Sequence, residues 1–180
     1  MDYIAGGSLA DAVAPLDHSV IVTYVTQAAR AAHALHEVGV VHQGIRPKSI
    51  LVGDGQAFLA DLGLAQLISQ DSFVTSIGQF GGLEFIDPAL LTGAAGSRAS
   101  DLWSLAATLN RALAGVGVYG PMSTDPLLAI RAVLTQKAAP SQGLPPELAA
   151  IVSSCLDPDP ASRPATALEL AKRLEASRTG

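Results

Sequence analysis

The chain has 180 residues, a hydrophobic fraction of 49% and a formal net charge of −5 at pH 7. This length predicts one domain, or a large piece of one, and the apolar content allows a substantial core. An acidic balance without a basic run argues against nucleic acid as the main partner. The single cysteine excludes an internal disulfide and predicts a reducing compartment, so we expect a cytoplasmic location.

Hydrophobic spacing predicts a mainly helical chain. The first helix carries one apolar stripe, with Asp17 as its N-cap and Gly39 as its stop. His33 and His36 lie three apart on this helix; no further metal ligand lines up with them, so we interpret them as partly exposed helix residues. The predicted helices cover residues 17–38, 97–113, 125–138 and 145–156.

Two short strands over residues 49–52 and 56–60 are joined through a Gly-Asp-Gly turn, which is a strong hairpin signal. Near the C-terminus, Thr166 and Glu169 have the spacing of a capping box for a final amphipathic helix. No apolar run reaches the roughly 18 residues of a membrane-spanning helix. The elements therefore predict a mainly α fold with one short β-hairpin and no membrane insertion.

The first nine residues, M-D-Y-I-A-G-G-S-L, predict a strand followed by a Gly-Gly turn. They resemble the hinge of a protein kinase, M-E-Y-x-x-G-G-[ST]-L, where the backbone grips the adenine of ATP. The resemblance implies that Asp2 offers a carbonyl, that Ile4 offers an N–H group and that Ser8 lies near the ribose. A kinase carries its Gly-rich loop, lysine and glutamate before the hinge, so we expect the small N-terminal lobe to be absent here.

The loop V-H-Q-G-I-R-P-K-S follows the first helix and leads into an apolar strand. It is similar to the catalytic loop of protein kinases, H-R-D-x-K-P-x-N. The frame is present, and we expect His42 to be structural because no nucleophile is placed beside it. The chemistry differs: Gln43 replaces the arginine, Gly44 the catalytic aspartate, Arg46 the lysine, and Ser49 the metal-binding asparagine.

These replacements have a direct chemical meaning. Phosphoryl transfer needs a carboxylate that orients and deprotonates the attacking hydroxyl, and oxygen ligands for Mg²⁺. Glycine has no side chain for the first role, and the hydroxyl of Ser49 serves the second poorly. Arg46 keeps a positive charge near a phosphate, but as a planar fork instead of a compact ammonium. The loop therefore predicts impaired catalysis.

Asp61-Leu62-Gly63 follows the second strand and resembles the D-F-G motif of the same family. The resemblance implies that Asp61 is the surviving metal-binding carboxylate and that Leu51 lies beneath the adenine. ATP and Mg²⁺ are therefore the implied cofactors, and we expect their binding to be weak or absent.

The next stretch corresponds to the activation segment, with Thr75 and Ser76 as candidate phosphorylation sites. Gln43 stands where an arginine would read such a phosphate, so the usual ordering mechanism is missing. The sequence G-G-L-E-F-I-D-P-A resembles G-T-x-x-[YF]-[ML]-[AS]-P-E. Gly82 stands in place of the threonine that contacts the catalytic aspartate, and Ala89 in place of a glutamate that pairs with a distant arginine.

The remaining motifs lie in the C-terminal half. S-D-L-W-S-L resembles the central helix of the kinase large lobe, which implies that Asp101 accepts hydrogen bonds from the catalytic-loop backbone and that Trp103 packs in the core. L-D-P-D-P-A-S-R-P resembles the C-terminal signature, where Arg163 would pair with the missing glutamate. We expect Arg163 to use Asp87 or Glu84 instead, or to stay solvated.

The resemblance covers residues 1–177, interpreted as a protein kinase-like domain made of hinge and large lobe, with 178–180 as a tail; it looks most like bacterial Ser/Thr kinases. We expect a catalytically impaired pseudokinase module that acts by binding or regulating another protein. Two alternatives stay open. One is an active Ser/Thr kinase fragment that uses Asp54 or Glu84 as its base, and the other binds nucleotide without turnover.

Overall fold

The structure, a computed structural model, describes residues 7–11, 16–62 and 82–178. Six α-helices and one antiparallel hairpin are present in these ranges, so the prediction of a mainly α fold with a short β-hairpin is confirmed. The helices are α1 His18–Glu37, α2 Pro88–Leu91, α3 Arg98–Ala114, α4 Pro126–Thr135, α5 Pro146–Cys155 and α6 Ala167–Ala176. None of the described helices is long and apolar enough to cross a membrane.

Helix α1 lies at the centre and packs against α6, α3 and the hairpin. Its apolar stripe faces inward, with Val25, Ala28 and Ala32 fully buried. Asp17 occupies the N-cap position, although its side chain makes no capping hydrogen bond. Gly39 follows the helix at φ 78°, a left-handed conformation that favours glycine and ends the helix as predicted.

Helix α3 forms the other half of the core. Ser97 and Ser100 cap its N-terminus reciprocally, and Gly115 ends it at φ 71°. Leu105 and Leu109 are at most 1% exposed, and each such burial contributes roughly 1.5–3 kcal/mol. Because α3 is surrounded, polar groups on it need partners inside the protein, and this requirement shapes the site described below.

The hairpin consists of β1 Ile50–Gly53 and β2 Gln56–Leu59, close to the predicted strands. Asp54 and Gly55 both have positive φ, 50° and 73°, as a two-residue type I′ turn requires. Ile50 pairs with Leu59, and Leu51 pairs with Phe58. Since side chains alternate along a strand, Ile50 faces the core, while Leu51 and the 43%-exposed Phe58 share the opposite face.

Two predictions at the later helices need correction. Helix α4 is capped by Asp125, but it ends at residue 135 instead of the predicted 138. The chain leaves the helix because Ala138 enters the core and the Ala139 N–H donates to the Val118 carbonyl, 3.0 Å away. At α6, Thr166 caps the helix, but the Glu169 carboxylate accepts from the N–H of Ala165 and not from that of Thr166.

Candidate functional site

The loop of residues 41–49 is held by one buried carboxylate. Asp101, on α3, is 0% exposed. Its Oδ2 accepts from the backbone N–H of His42 at 2.8 Å, and its Oδ1 accepts from that of Gln43 at 2.9 Å. A buried carboxylate is tolerated only with such partners, and here they fix the loop to the central helix. The prediction that Asp101 is a scaffold residue is confirmed.

His36 is the third partner of this carboxylate. Its Nε2 lies 2.8 Å from Asp101 Oδ2, and the residue is 1% exposed. The expectation that His36 is a partly exposed helix residue is therefore wrong. The signal was present in the sequence, because His36 falls four residues after the buried Ala32 on the apolar stripe. Periodicity could not show that α3 places a carboxylate opposite it.

His42 has a structural position in the same loop. Its side chain is 1% exposed, and its Nε2 donates to the Ala60 carbonyl, 3.0 Å away. Burial lowers the pKa of His42, against the opposing effect of the Asp101 charge and of the Ala60 carbonyl. The imidazole therefore ties the loop to the residue before Asp61, in agreement with the structural role expected of it.

Position 44 lies beside Asp61. A Cβ atom built on Gly44 would be 3.7 Å from the Asp61 carbonyl oxygen and 3.7 Å from His42 Nδ1, which is ordinary van der Waals contact. The backbone there does not have the positive φ that calls for glycine. Neither the backbone conformation nor crowding by the described residues therefore requires glycine at this position, and a Cβ atom fits there.

The Ser49 hydroxyl is occupied by the backbone. It donates to the Arg46 carbonyl and accepts from the Arg46 N–H, both at 2.9 Å, and Ser49 is 0% exposed. These bonds close the short 3₁₀ turn Pro47–Ser49. The hydroxyl thus has its only proton and one lone pair committed, which leaves little capacity for a metal ion.

Asp61 is exposed at the end of β2, with a φ of 63°. Among the residues that the structure describes, no group of three or more His, Cys, Asp or Glu side chains is placed to hold a metal ion. Mg²⁺ needs near-octahedral oxygen ligands, usually one or two carboxylates with phosphates and water. The Asp61 carboxylate and the Ser49 hydroxyl, which is already hydrogen-bonded to the Arg46 backbone, therefore fit Mg²⁺ poorly.

The segment before α1 runs along the hairpin edge. Ser8 forms a β-bridge with Leu51, and the Leu9 N–H donates to the Ile50 carbonyl at 2.8 Å. The Ser8 hydroxyl donates to the Asp11 carboxylate at 2.5 Å. The structure thus brings Ser8 and Leu51 together, and their predicted positions near the ribose and beneath the adenine stay predictions. The other predicted hinge contacts, at Asp2 and Ile4, and the hydroxyls of Thr75 and Ser76 lie outside the described residues.

Two carboxylates are candidates for a replacement base. That of Glu84 is paired with another residue, and that of Asp54 lies away from the loop. Glu84 is 8% exposed, and its Oε1 accepts from Arg111 at 2.7 Å. Its Oε2 fills the space beside Gly117, where a Cβ would be only 1.7 Å away. Asp54 lies in the hairpin turn, at the end of β1 away from the loop. Glu84 is thereby removed as a candidate base.

A family model of the protein kinase domain matches residues 1–174 of this chain. The chain belongs to the protein kinase family. It is 35% identical over 182 residues to the serine/threonine-protein kinase PknK of Mycobacterium tuberculosis. This match covers 97% of this chain and 16% of PknK. It is 30% identical over 186 residues to PkaB of Streptomyces coelicolor, covering 97% of this chain and 44% of that protein.

A third relative is the serine/threonine-protein kinase pkn2 of Myxococcus xanthus, 28% identical over 193 residues, with 99% of this chain and 23% of pkn2 covered. The chain thus spans less than half the length of these bacterial kinases. Kinases of this family use ATP and Mg²⁺ and act on proteins, which gives the predicted cofactors and partners their general basis.

A further difference from the family pattern concerns the partner of Arg163. Arg163, whose usual glutamate partner is replaced by Ala89, forms an ion pair with Asp87. Its guanidinium also donates to the Ala99 carbonyl at 2.8 Å and lies 5.2 Å from the centroid of the Trp103 ring. Of the three outcomes expected for Arg163, the structure selects Asp87.

Proposed function

We propose that this chain is a catalytically impaired protein kinase-like module, a pseudokinase, that acts by binding or regulating another protein. The observation that carries the proposal is the position of Gly44. It lies beside Asp61 in a loop anchored by Asp101, yet it offers no carboxylate to a substrate hydroxyl. Residues 1–177 would form the hinge and large lobe of this module.

The expected loss of rate is large. Removing a general acid–base group typically lowers a rate by about 10² to 10⁴-fold. Glu84, which is paired with Arg111, and Asp54, in the turn at the far end of β1, supply no replacement within the described residues. The committed hydroxyl of Ser49 weakens metal binding further. These effects act on different parts of the transfer reaction, so they reinforce one another.

Nucleotide binding without turnover is the second candidate. It is favoured by the apolar face of Leu51 and Phe58, which lies on the same hairpin that leads to Asp61. We expect such binding to be weak, since only one carboxylate is available for Mg²⁺. A thermal shift with ATP, with and without Mg²⁺, tests this candidate; no shift at millimolar ATP would remove it.

The main test is a phosphotransfer assay on the wild-type chain and on Gly44→Asp, in the longest polypeptide that carries them. We expect no turnover from the wild type and a gain in Gly44→Asp, because the position accommodates a side chain. Ser49→Asn together with Gly44→Asp should increase the gain. Wild-type turnover at ordinary kinase rates, roughly 1–100 per second, would overturn the proposal.

The partner is expected to be a protein, and the place of action the cytoplasm. The sole cysteine is a buried free thiol, which suits a reducing compartment. Fractionation of cells that express the tagged chain would test the location.

A further inference from the structure

Most arginines that the structure describes form ion pairs with carboxylates. Arg46, in the loop of residues 41–49, does not. Arg30, Arg98, Arg111, Arg163 and Arg173 each form an ion pair. Arg131 and Arg178 are exposed to water. Arg46 is partly buried and forms no ion pair with any described residue. A partly buried guanidinium without a counter-ion is a candidate anion site.

The backbone that carries Arg46 is fixed. Its N–H donates to the Ser49 hydroxyl and its carbonyl accepts from the same group, both at 2.9 Å. The neighbouring Ile45 is 1% exposed, and Asp101 anchors the start of the loop. Such a support limits the entropy lost when the side chain engages a ligand.

The guanidinium of Arg46 lies next to Gly82, which has no side chain. A Cβ atom built on Gly82 would lie 3.7 Å from Arg46 Nη1, an ordinary van der Waals contact and the nearest one among the described residues. A carboxylate at position 82 would neutralise Arg46, and this position is glycine.

The charge balance of the loop also favours an anion. Apart from the buried Asp101 carboxylate, which accepts hydrogen bonds from the backbone of His42 and Gln43, the charged groups here are Arg46, the exposed Lys48 and the exposed Asp61. A phosphomonoester carries close to two negative charges near pH 7 and three acceptor oxygens, which match the fork of an arginine. Such a phosphoryl group could belong either to a nucleotide or to a phosphorylated protein side chain. A nucleotide binds with Mg²⁺, which the site fits poorly, whereas phosphoserine and phosphothreonine need no metal ion.

We propose that Arg46, with Lys48 beside it, binds the phosphoryl group of a phosphoserine or phosphothreonine on a partner protein. Gly82, which places no side chain beside the guanidinium, leaves that group space to approach. This inference rests on the proposed function, since it makes the former site of phosphoryl transfer a site of phosphoryl recognition. No bond is made or broken in this step.

The test measures retention of a degenerate phosphoserine and phosphothreonine peptide library by the immobilised 180-residue chain. The same library treated with phosphatase is the matched probe. We expect the phosphorylated library to be retained at least about tenfold more strongly, and Arg46→Gln to remove the difference. Arg131→Gln is the control, because it removes the same charge at an exposed arginine of α4. This variant should keep the difference in retention between the two libraries.

Gly82 provides a second and sharper pair of variants. Gly82→Asp places a carboxylate within reach of Arg46 and should abolish phosphopeptide retention. Gly82→Asn has nearly the same size without the charge and should reduce retention much less. Thermal unfolding followed by circular dichroism checks that both variants fold. If neither folds, Arg46→Gln against Arg131→Gln decides the question.

Equal retention of the two libraries would overturn the inference, as would an Arg46→Gln variant that still discriminates between them. Competition by ATP without Mg²⁺ at lower concentration than a retained phosphopeptide would assign the site to a nucleotide, which also overturns it. A phosphotransfer assay on the same preparation separates the two proposals. Failure of peptide retention without turnover contradicts only the recognition of phosphopeptides, whereas ordinary turnover contradicts the impaired module itself.

Discussion

The carboxylate of Asp87 forms an ion pair with the guanidinium of Arg163 in the protein interior, where the two residues are 3% and 5% exposed. In the family pattern the partner is a glutamate at the position of Ala89. Here the acidic group stands two residues earlier, and its Oδ1 also accepts from the Ala89 N–H at 3.1 Å, which caps α2. In this chain the buried acid is therefore Asp87, which both pairs with Arg163 and caps α2.

Asp87→Ala should destabilise the fold by about 3–5 kcal/mol, because it leaves the buried Arg163 without its counter-ion. Urea denaturation measures the loss. The control is Glu175→Ala, which breaks the exposed pair with Arg30 and should cost at most about 1 kcal/mol. Equal losses in the two variants would contradict this account of the buried pair.

Adding Ala89→Glu to Asp87→Ala should recover part of that stability. Nη2 of Arg163 is buried and has no hydrogen-bond partner, so a donor is available for a restored glutamate. A recovery of about 1–3 kcal/mol is expected for a charged hydrogen bond. The same urea experiment measures it, and no recovery would show that Ala89 does not face Arg163.

Gly117→Ala should destabilise the protein by about 1–3 kcal/mol, since the new Cβ would overlap Glu84 Oε2 and displace it from Arg111. Gly44→Ala is the matched control and should change stability by less than about 0.5 kcal/mol or raise it slightly. Thermal unfolding measures both. A loss in Gly44→Ala as large as in Gly117→Ala would contradict the open space assigned to position 44.

Asp101→Ala should release the loop as well as weaken the fold. Hydrogen exchange at the backbone amides of His42 and Gln43 should accelerate more than exchange in α6, because both amides donate to this carboxylate. Asp125→Ala removes an exposed helix cap instead and should cost about 1 kcal/mol without changing these two amides. Unchanged exchange in Asp101→Ala would remove its assigned role as anchor.

Cys155 should be unreactive while the protein is folded. Burial raises the pKa of its thiol to about 11, so at pH 8 a disulfide reagent should label it only after unfolding in urea. As the pH rises above about 9, the unfolded thiol ionises while the folded thiol stays protonated, so the free energy of unfolding falls. This fall should be absent from Cys155→Ala, and the comparison cancels contributions from Tyr119, whose pKa burial also raises. Rapid labelling of the folded chain would contradict the prediction.

The sequence by itself determined most of the helices, the hairpin and the loop. Local signals were sufficient for these elements, because the apolar stripe of α1, its stop at Gly39 and the Asp-Gly turn each act within a few residues. The motifs also located Gly44, Arg46, Ser49 and Asp61 on one loop and strand end. The shortened end of α4 was missed because it depends on the Val118 carbonyl, which is distant in sequence.

Only the tertiary structure decided which buried polar and charged groups meet. His36 and Asp101 are separated by 65 residues, and Asp87 and Arg163 by 76, so no local pattern pairs them. Glu84 looked available as a base until the structure showed it paired with Arg111 against Gly117. Partners of this kind are set by how α1, α3 and the C-terminal segment pack together. A buried charge accepts whatever counter-ion that packing brings within hydrogen-bond distance, because leaving it unpaired costs more than any local preference contributes.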